Sequence, residues 1–339
     1  MRAAVLAEEL TVVEWPEPEP GPGEALISLS KVGICGSDTH FVIDGSAKPA
    51  FRPIVLGHEP CGRVEALGPG TSGPEIGSRV AIVPLITCQE CELCARGRST
   101  ICKRRLCLGA DCHGCWADLV AVPVRNLVPV PDGLSDELAA VATDSVATAY
   151  HAVANRGGVG AGSRVAVWGT GGLGLSAVGI ARTLGAERVI AVDPRDEARQ
   201  WALETGADEA LHPDEALTRI NDDGGVDVSL EFVGRPHTIE SAVRSLDEGG
   251  RAVVIGVGDG HADAGRMMTF VLRERELVGS YGAEPKEVVE VVRLLASGEL
   301  QLPRVVGDVI PLDDVAAGVA RVARGETGGS RIVVDITGA

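Results

Sequence analysis

The segment "RVAVWGTGGLGLSAV", residues 164–178, constrains the fold of this 339-residue chain more than any other. It opens as an apolar run of strand length and closes with the spacing of a helix. Between the two, Gly169, Gly171 and Gly174 stand as G-x-G-x-x-G. The first glycine permits a tight turn, the second lets a phosphate approach the backbone, and the third allows helix to pack closely on strand. The turn also aims a helix N-terminus, with its unpaired N–H groups, at an anion. With Gly172 and Leu173 at the start of the helix, these residues are candidates for holding the pyrophosphate of a dinucleotide.

In a chain with 44 glycines the pattern alone is weak, and its context gives it weight. The next strand, "RVIAVD", ends at Asp193, about 20 residues on, where a carboxylate can bond the adenosine ribose hydroxyls. Asp193 favours NAD, because it would repel the 2′-phosphate of NADP. Arg195 pulls the other way and is read as a solvated charge in the first turn of a helix. That helix, "RDEARQWALETGA", is followed by strand "VDVSLEFVG", helix "HTIESAVRSL" and strand "RAVVIGV". Strands separated by helices imply right-handed crossovers and a parallel sheet. Residues 1–145 read differently. Short β-like runs, "EALISLSKVGI", "RVAIVPL" and "WADLVAVPV", are broken there by Pro and Gly clusters. After about residue 285 come a helix, "EPKEVVEVVRLLASG", and a last strand, "SRIVVDI".

A net charge of −17 argues against nucleic acid as a partner, since phosphates would be repelled. No apolar run is long enough to span a membrane. The start "MRAAVLAEEL" lacks the basic flank and apolar core of a secretory signal, so a cytoplasmic location is expected. The cysteine count, nine, is odd, which in that compartment points to reduced thiols rather than disulfides. Cys88, Cys91, Cys94 and Cys102 follow the spacing C-x2-C-x2-C-x7-C. This fits four thiolates around one tetrahedral Zn²⁺, with an iron–sulfur cluster as the competing occupant. Four protein ligands leave no open position, so such a site is structural. Chemistry has to come from "GICGSDTH", with Cys35, Ser37, Asp38 and His40, and from "VLGHEPCG", with His58 and Glu59. A thiolate and an imidazole brought together make two ligands of a catalytic zinc.

In order and wording, these segments resemble the zinc-dependent medium-chain alcohol dehydrogenase family. The matching pieces run from "PEPEPGPGEALISLSKVGICGSD" through "GHEPCGRVEALG", the four-cysteine loop and "GTGGLGLSAVGIA" to "VGSYG" and "GGSRIVVDI". The resemblance implies an α/β protein. A GroES-like β catalytic domain spans 1–145 and is completed by 285–339; a Rossmann domain with a doubly wound parallel sheet spans 146–284. It implies two zinc ions per chain, NAD, and hydride transfer between NAD(H) and an alcohol or carbonyl, with a secondary alcohol or polyol as substrate. Cys35 and His58 match the first two ligands of the catalytic zinc, and Asp38 the carboxylate that orients the ligand histidine. Ser37 matches the hydroxyl that bonds the substrate oxygen, His40 the outer histidine of its proton relay, and Glu59 the acid beside the zinc. Arg331 resembles a pyrophosphate-binding arginine. A homodimer or homotetramer is implied, with residues 252–282 offering an edge strand.

The chain departs from the commoner family pattern at the third ligand. In "AVATDSVATAYHAV" Asp144 resembles a subset of the family with Asp there, and it would bring the ligand charge to minus two. The competing role for Asp144 is a helix N-cap. "DCHGCWADL" is also unusual. Cys112 and Cys115 form a C-x-x-C that suits a thiol redox pair, or else Cys115 and Trp116 shape a loop and the pocket wall. Residues 41–56 and 259–273 complete the expected walls, and Lys48 and Arg52 hint at an anionic or polyol-like substrate. His113, His151, His212, His237 and His261 are read as structural or surface residues. Three rival functions remain: reduction of a conjugated double bond, a non-catalytic dinucleotide-binding relative, and a thiol-redox protein working through Cys112 and Cys115.

Overall fold

A computed structural model describes residues 1–258 and 260–338. The chain divides into two compact units, Met1–Ala147 with Ala283–Ser297 and Val306–Ala339, and Thr148–Gly282 with Gly298–Val305.

In the first unit the strand Glu24–Ile34 is the spine. Its side chains alternate between buried and half-buried along most of its length, as a pleated strand against a core requires. It pairs antiparallel with Glu59–Leu67, Leu119–Pro123 and the C-terminal strand Arg331–Asp335. The register sets Gly33 opposite Glu59 and Ile332 opposite Ile34, so residues from three distant stretches meet at the end of the strand that leads into Cys35. Beneath it lies an apolar core that includes Ile27, Ile34, Leu56, Trp116 and Ile332, each almost wholly buried.

The helix Asp136–Val141 packs against this sheet. Ser135 caps it by accepting a hydrogen bond from Leu138 N at 3.3 Å, and Asp136 and Glu137 in its first turn suit the positive end of the helix dipole. Asp136 also accepts from Ser30 Oγ at 2.7 Å and Arg79 Nε at 2.9 Å, tying the helix to two strands. The chain then runs without a new cap into a π-helical turn, Ala142–Val146.

Among the described residues the second unit holds a six-stranded parallel sheet. Its order is Glu209–Leu211, Arg188–Val192, Arg164–Trp168, Val226–Glu231, Leu246–Val254 and Glu276–Gly279. The central strand Arg164–Trp168 is the first in sequence, which makes this the doubly wound dinucleotide-binding topology. The helices Gly172–Thr183, Asp196–Thr205 and Pro236–Arg244 fall where the hydrophobic pattern expects them. The pattern passes over Glu209–Leu211, too short to show a period, and the helix Pro213–Asp222 that follows. That helix carried the local signals of Pro at its first position and an acidic first turn. No helix among the described residues is long and apolar enough to cross a membrane.

Candidate functional site

Cys35 sits at the N-cap of the short helix Gly36–Val42, with extended backbone at φ −89° and ψ 153°. That entry angle places Asp38 three residues on, where its Oδ2 accepts the Cys35 N–H at 2.8 Å. His58 and Glu59 follow Gly57, whose φ of +90° suits glycine. A Cβ on Gly57 would also lie 2.5 Å from the indole of Trp116. Trp116 is fully buried and donates Nε1–H to Gly33 O at 3.4 Å. Trp116 is therefore the platform under the His58 and Glu59 segment and not an exposed pocket wall.

The side chains of Cys35, His58, Glu59 and Asp144 converge, with ligand atoms all within 4.8 Å of one another. Asp144 Oδ2 is 3.5 Å from Cys35 Sγ and 3.6 Å from His58 Nε2. Bond lengths of about 2.0–2.3 Å set tetrahedral zinc ligands roughly 3.3–3.7 Å apart, so these three atoms have the spacing of a coordination shell. His58 turns Nε2 to the cluster and Nδ1 to Asp38 Oδ1 at 3.5 Å, an orientation that suits Nε2 as the ligand atom. Burial disfavours a charged imidazole here, but Asp38 and Asp144 outweigh it and raise the His58 pKa well above its ordinary value. The carboxylates that favour a proton at this place would also favour a divalent cation.

Asp144 lies inside the π-helical turn, while the cap of the preceding helix is Ser135, so the N-cap role for Asp144 does not hold. The hydroxyls of Thr143 and Ser145 donate to Ala140 O at 2.7 Å and Val141 O at 3.1 Å. Such back-bonding loosens the regular ladder, and π-turns recur at functional sites.

Glu59 is fully buried. A Cβ at Gly33, opposite it in the sheet, would meet Glu59 Oε2 at 2.1 Å, so glycine there makes room for the carboxylate. Burial pushes the Glu59 carboxyl up to about 7, against the pull of Arg331. Arg331 Nη2 is 2.9 Å from Glu59 Oε1 and 3.3 Å from Cys35 Sγ. The contact with Glu59 is off-line, and neither Glu59 oxygen makes a hydrogen bond. Sequence reasoning gave Arg331 to the cofactor and missed this ion pair; the strand register that creates it leaves no local signal.

Ser37 is exposed, and its Oγ lies 3.4 Å from His58 Nε2. His40 stands apart from the cluster, with Nδ1 2.9 Å from Ser46 Oγ and 3.2 Å from Asp44 Oδ2.

The second cluster is the four-cysteine loop. Its Sγ–Sγ separations are 3.8 Å for Cys88–Cys94, 3.5 Å for Cys91–Cys94, 3.8 Å for Cys91–Cys102 and 3.4 Å for Cys88–Cys102. Zinc–sulfur bonds of about 2.3 Å set tetrahedral edges near 3.8 Å, so the loop is shaped for the ion. The Glu90 N–H holds the Cys88 thiol down to about 6, while burial and then Cys91 push Cys94 up to about 12. Four thiolates this close need a cation between them before all ionise. The loop is anchored by Glu284, which accepts from Thr100 N at 3.1 Å and from Ser99 Oγ.

In the second unit Gly169 has φ +86°, and a Cβ on Gly174 would lie 1.9 Å from Gly169 O. Gly171 faces open space, the room a pyrophosphate needs. Gly172 and Leu173 open the helix Gly172–Thr183. Asp193 is buried beside this turn and accepts from Thr170 N at 2.9 Å. Arg195 is not a free solvated charge: its Nε and Nη2 donate to Asp193 Oδ1 and Oδ2, both at 2.9 Å.

Other expectations resolve simply. Cys115 is fully buried in the apolar core and burial drives its thiol pKa up, so it has no part in a redox pair with Cys112. Arg52 donates to the carbonyls of Ala7 at 2.9 Å and Phe41 at 3.4 Å, and Lys48 is exposed. His113 Nδ1 accepts from Val55 N at 3.2 Å, and His212 caps a helix. His151 is buried; His237 and His261 are exposed. In the stretch 259–273, Asp259 lies outside the described residues, and the helix Met267–Leu272 exposes Met267, Met268, Val271 and Leu272.

Residues 21–132 match the family described as "Alcohol dehydrogenase GroES-like domain", and residues 172–297 the one described as "Zinc-binding dehydrogenase". The L-threonine 3-dehydrogenase of Pyrococcus horikoshii is 32% identical over 306 residues, covering 87% of this chain and 86% of its own. A crystal structure of an NAD-dependent alcohol dehydrogenase superposes with a TM-score of 0.90 at 30% identity, over 99% of this chain and 100% of that one. The 2R,3R-butanediol dehydrogenase of Bacillus subtilis gives a TM-score of 0.90 at 27% identity over 99% of each chain.

Proposed function

Because the chain belongs to the zinc-binding medium-chain dehydrogenase family, we propose that it oxidises a secondary alcohol, or reduces the matching ketone, with NAD(H) as hydride partner. The observation that carries this reading is the convergence of Cys35, His58 and Asp144, at coordination spacing, beside the exposed Ser37 hydroxyl. Cys35, His58 and Asp144 would hold the catalytic zinc, with Glu59 held back on Arg331. Cys88, Cys91, Cys94 and Cys102 would hold the structural one.

When bound, zinc supplies Lewis acidity that lowers the pKa of an alcohol toward neutrality. Asp38 Oδ1 faces His58 Nδ1 at 3.5 Å and would orient the ring with Nε2 toward the metal. Ser37 Oγ would accept the hydroxyl proton of the substrate while giving up its own. His40, which stands apart with Nδ1 engaged by Asp44 and Ser46, would receive a proton at Nε2 only through an intervening hydroxyl or water. NAD supplies the hydride acceptor. The glycine turn, through Gly169, Gly171, Gly172, Leu173 and Gly174, is shaped for the pyrophosphate, and Asp193 favours an unphosphorylated ribose.

The relatives named for L-threonine and 2R,3R-butanediol both act on a hydroxyl at a secondary carbon, which supports that substrate class. The test is a panel of secondary alcohols, polyols, L-threonine and 2,3-butanediol, read by nicotinamide absorbance. Turnover of any member that is lost on removal of zinc and restored by its return is the expected result. Activity on conjugated double bonds alone would overturn the reading.

A further inference from the structure

Asp193 is the residue that should receive the adenosine ribose, yet the protein already fills it. Its Oδ1 accepts from Arg195 N at 3.0 Å and Arg195 Nε at 2.9 Å. Its Oδ2 accepts from Thr170 N and Arg195 Nη2, both at 2.9 Å. A carboxylate offers about four lone-pair sites, so none is left for a ribose hydroxyl. Two of the four donors are backbone N–H groups fixed by the turn and cannot leave. The other two belong to one guanidinium whose side chain is 41% exposed, against 4% for Asp193. The movable partner is Arg195. Arg199 does not compete for the carboxylate, since its Nη1 donates to Asp193 O at 2.7 Å and its Nη2 pairs with Asp196.

We infer that Arg195 is a latch on Asp193 that sets the choice between the two dinucleotides, opposing NAD and giving NADP a guanidinium to bind. The inference rests on the reading of the glycine turn as a dinucleotide site. Bonding of the two ribose hydroxyls of NAD to Asp193 requires the fork to open, and that cost is subtracted from affinity. A 2′-phosphate instead meets a planar cation that is half-exposed and matches phosphate in bidentate geometry. With the latch intact, the carboxylate is neutralised and its repulsion of the 2′-phosphate is muted. The chain therefore binds both dinucleotides, and Arg195 narrows a preference that Asp193 alone would make steep.

The test needs no substrate: NADH and NADPH are titrated by nicotinamide fluorescence into the native protein, Arg195→Gln and Arg195→Lys. The native affinities are expected to lie within about tenfold of each other. Arg195→Gln should bind NADH about tenfold tighter and NADPH at least about tenfold weaker, each tenfold being about 1.4 kcal/mol. Lysine keeps the charge without the fork and should fall between. Added salt weakens a half-exposed ion pair, so it should tighten NADH and weaken NADPH in the native protein, while NADH binding by Arg195→Gln stays flat. Should the Gln variant fail to fold, the opposite salt responses in the native protein decide. NADH binding that is unchanged or weaker in a folded Arg195→Gln overturns the latch alone. A native chain that binds neither dinucleotide overturns the reading of the turn, and the latch with it.

Discussion

Asp144 Oδ2 stands 3.5 Å from Cys35 Sγ, although 109 residues of chain separate them. One thiolate, one carboxylate and a neutral imidazole balance the two charges of zinc, and Asp144 is the carboxylate that the geometry puts in contact with both partners. Asp144→Asn removes one of those charges while keeping the shape. Zinc content is expected to fall from two ions per chain toward one. Turnover should fall by more than the roughly 10–100-fold that loss of an outer partner costs a metal site. Elemental analysis beside an activity assay checks both; a fully metallated, active Asn variant would hand the third position to Glu59.

Arg331 and Glu59 form a buried pair, and their fates are linked. Arg331→Met leaves a fully buried carboxylate without its cation, a change that costs about 3–5 kcal/mol in comparable pairs. Glu59, already pushed up to about 7 by burial, should then take up a proton near neutral pH. Adding Glu59→Gln removes the need for that proton, so the double variant is expected to be more stable than Arg331→Met alone, and most clearly above neutral pH. Denaturant unfolding of the native protein, Arg331→Met, Glu59→Gln and the double variant measures the coupling; simple additivity would mean that the two side chains do not interact.

The sequence made the parts of this site legible, and the limits have physical causes. The four-cysteine loop was readable because its ligand spacing is local, whereas Cys35 and His58 lie far apart in sequence and were reached through the family resemblance. Asp144 was reached through the resemblance, with a helix cap as its competing role, because the continuation of the helix through Ala142–Val146 depends on packing. The Arg331–Glu59 pair was invisible, being made by the register of strands that are far apart in sequence. Arg195 was misread as solvated because a fork onto a residue two positions away depends on the turn between them. Trp116 was misplaced for a similar reason, since its burial follows from Gly57 and Gly33 lying over it.

The four-cysteine loop should behave as a stability element. Cys91→Ser removes one thiolate from a closed site whose metal binding is folding energy. A lower melting temperature is expected, with loss of one zinc and retention of the other. Glu284→Gln, which weakens the anchor to Ser99 and Thr100, should lower the melting temperature without loss of metal. Thermal unfolding with paired elemental analysis separates the two effects, and an unchanged melting temperature in both variants would remove the structural role.

Asp136 provides a pH test. Burial raises its pKa, but the Ser30 hydroxyl and Arg79 outweigh it and hold the carboxyl below its ordinary value. A carboxyl depressed in the folded state stabilises above its unfolded pKa of about 3.9 and loses that contribution as pH falls through the folded value. Asp136→Asn should cost about 1.5–3 kcal/mol at neutral pH, the range for hydrogen bonds to a charged group. Its stability should also fall less steeply than the native protein's below about pH 4. Parallel slopes in acid would show that the pair adds nothing.

The glycine turn separates packing from binding within three residues. Gly174 has its missing Cβ aimed at Gly169 O, 1.9 Å away, so Gly174→Ala must push the helix off the strand. Gly171 has ordinary backbone, with φ −73°, and nothing within 4 Å of where a Cβ would stand. Gly171→Ala should therefore fold with an unchanged melting temperature. Its methyl group would occupy the space through which a pyrophosphate reaches the backbone, and NADH should bind at least about tenfold more weakly, about 1.4 kcal/mol. Gly174→Ala is expected to lose stability first and binding as a consequence. Melting curves and NADH fluorescence titrations on the pair test the assignment directly, because a turn that only connects strand to helix would leave NADH binding by Gly171→Ala untouched.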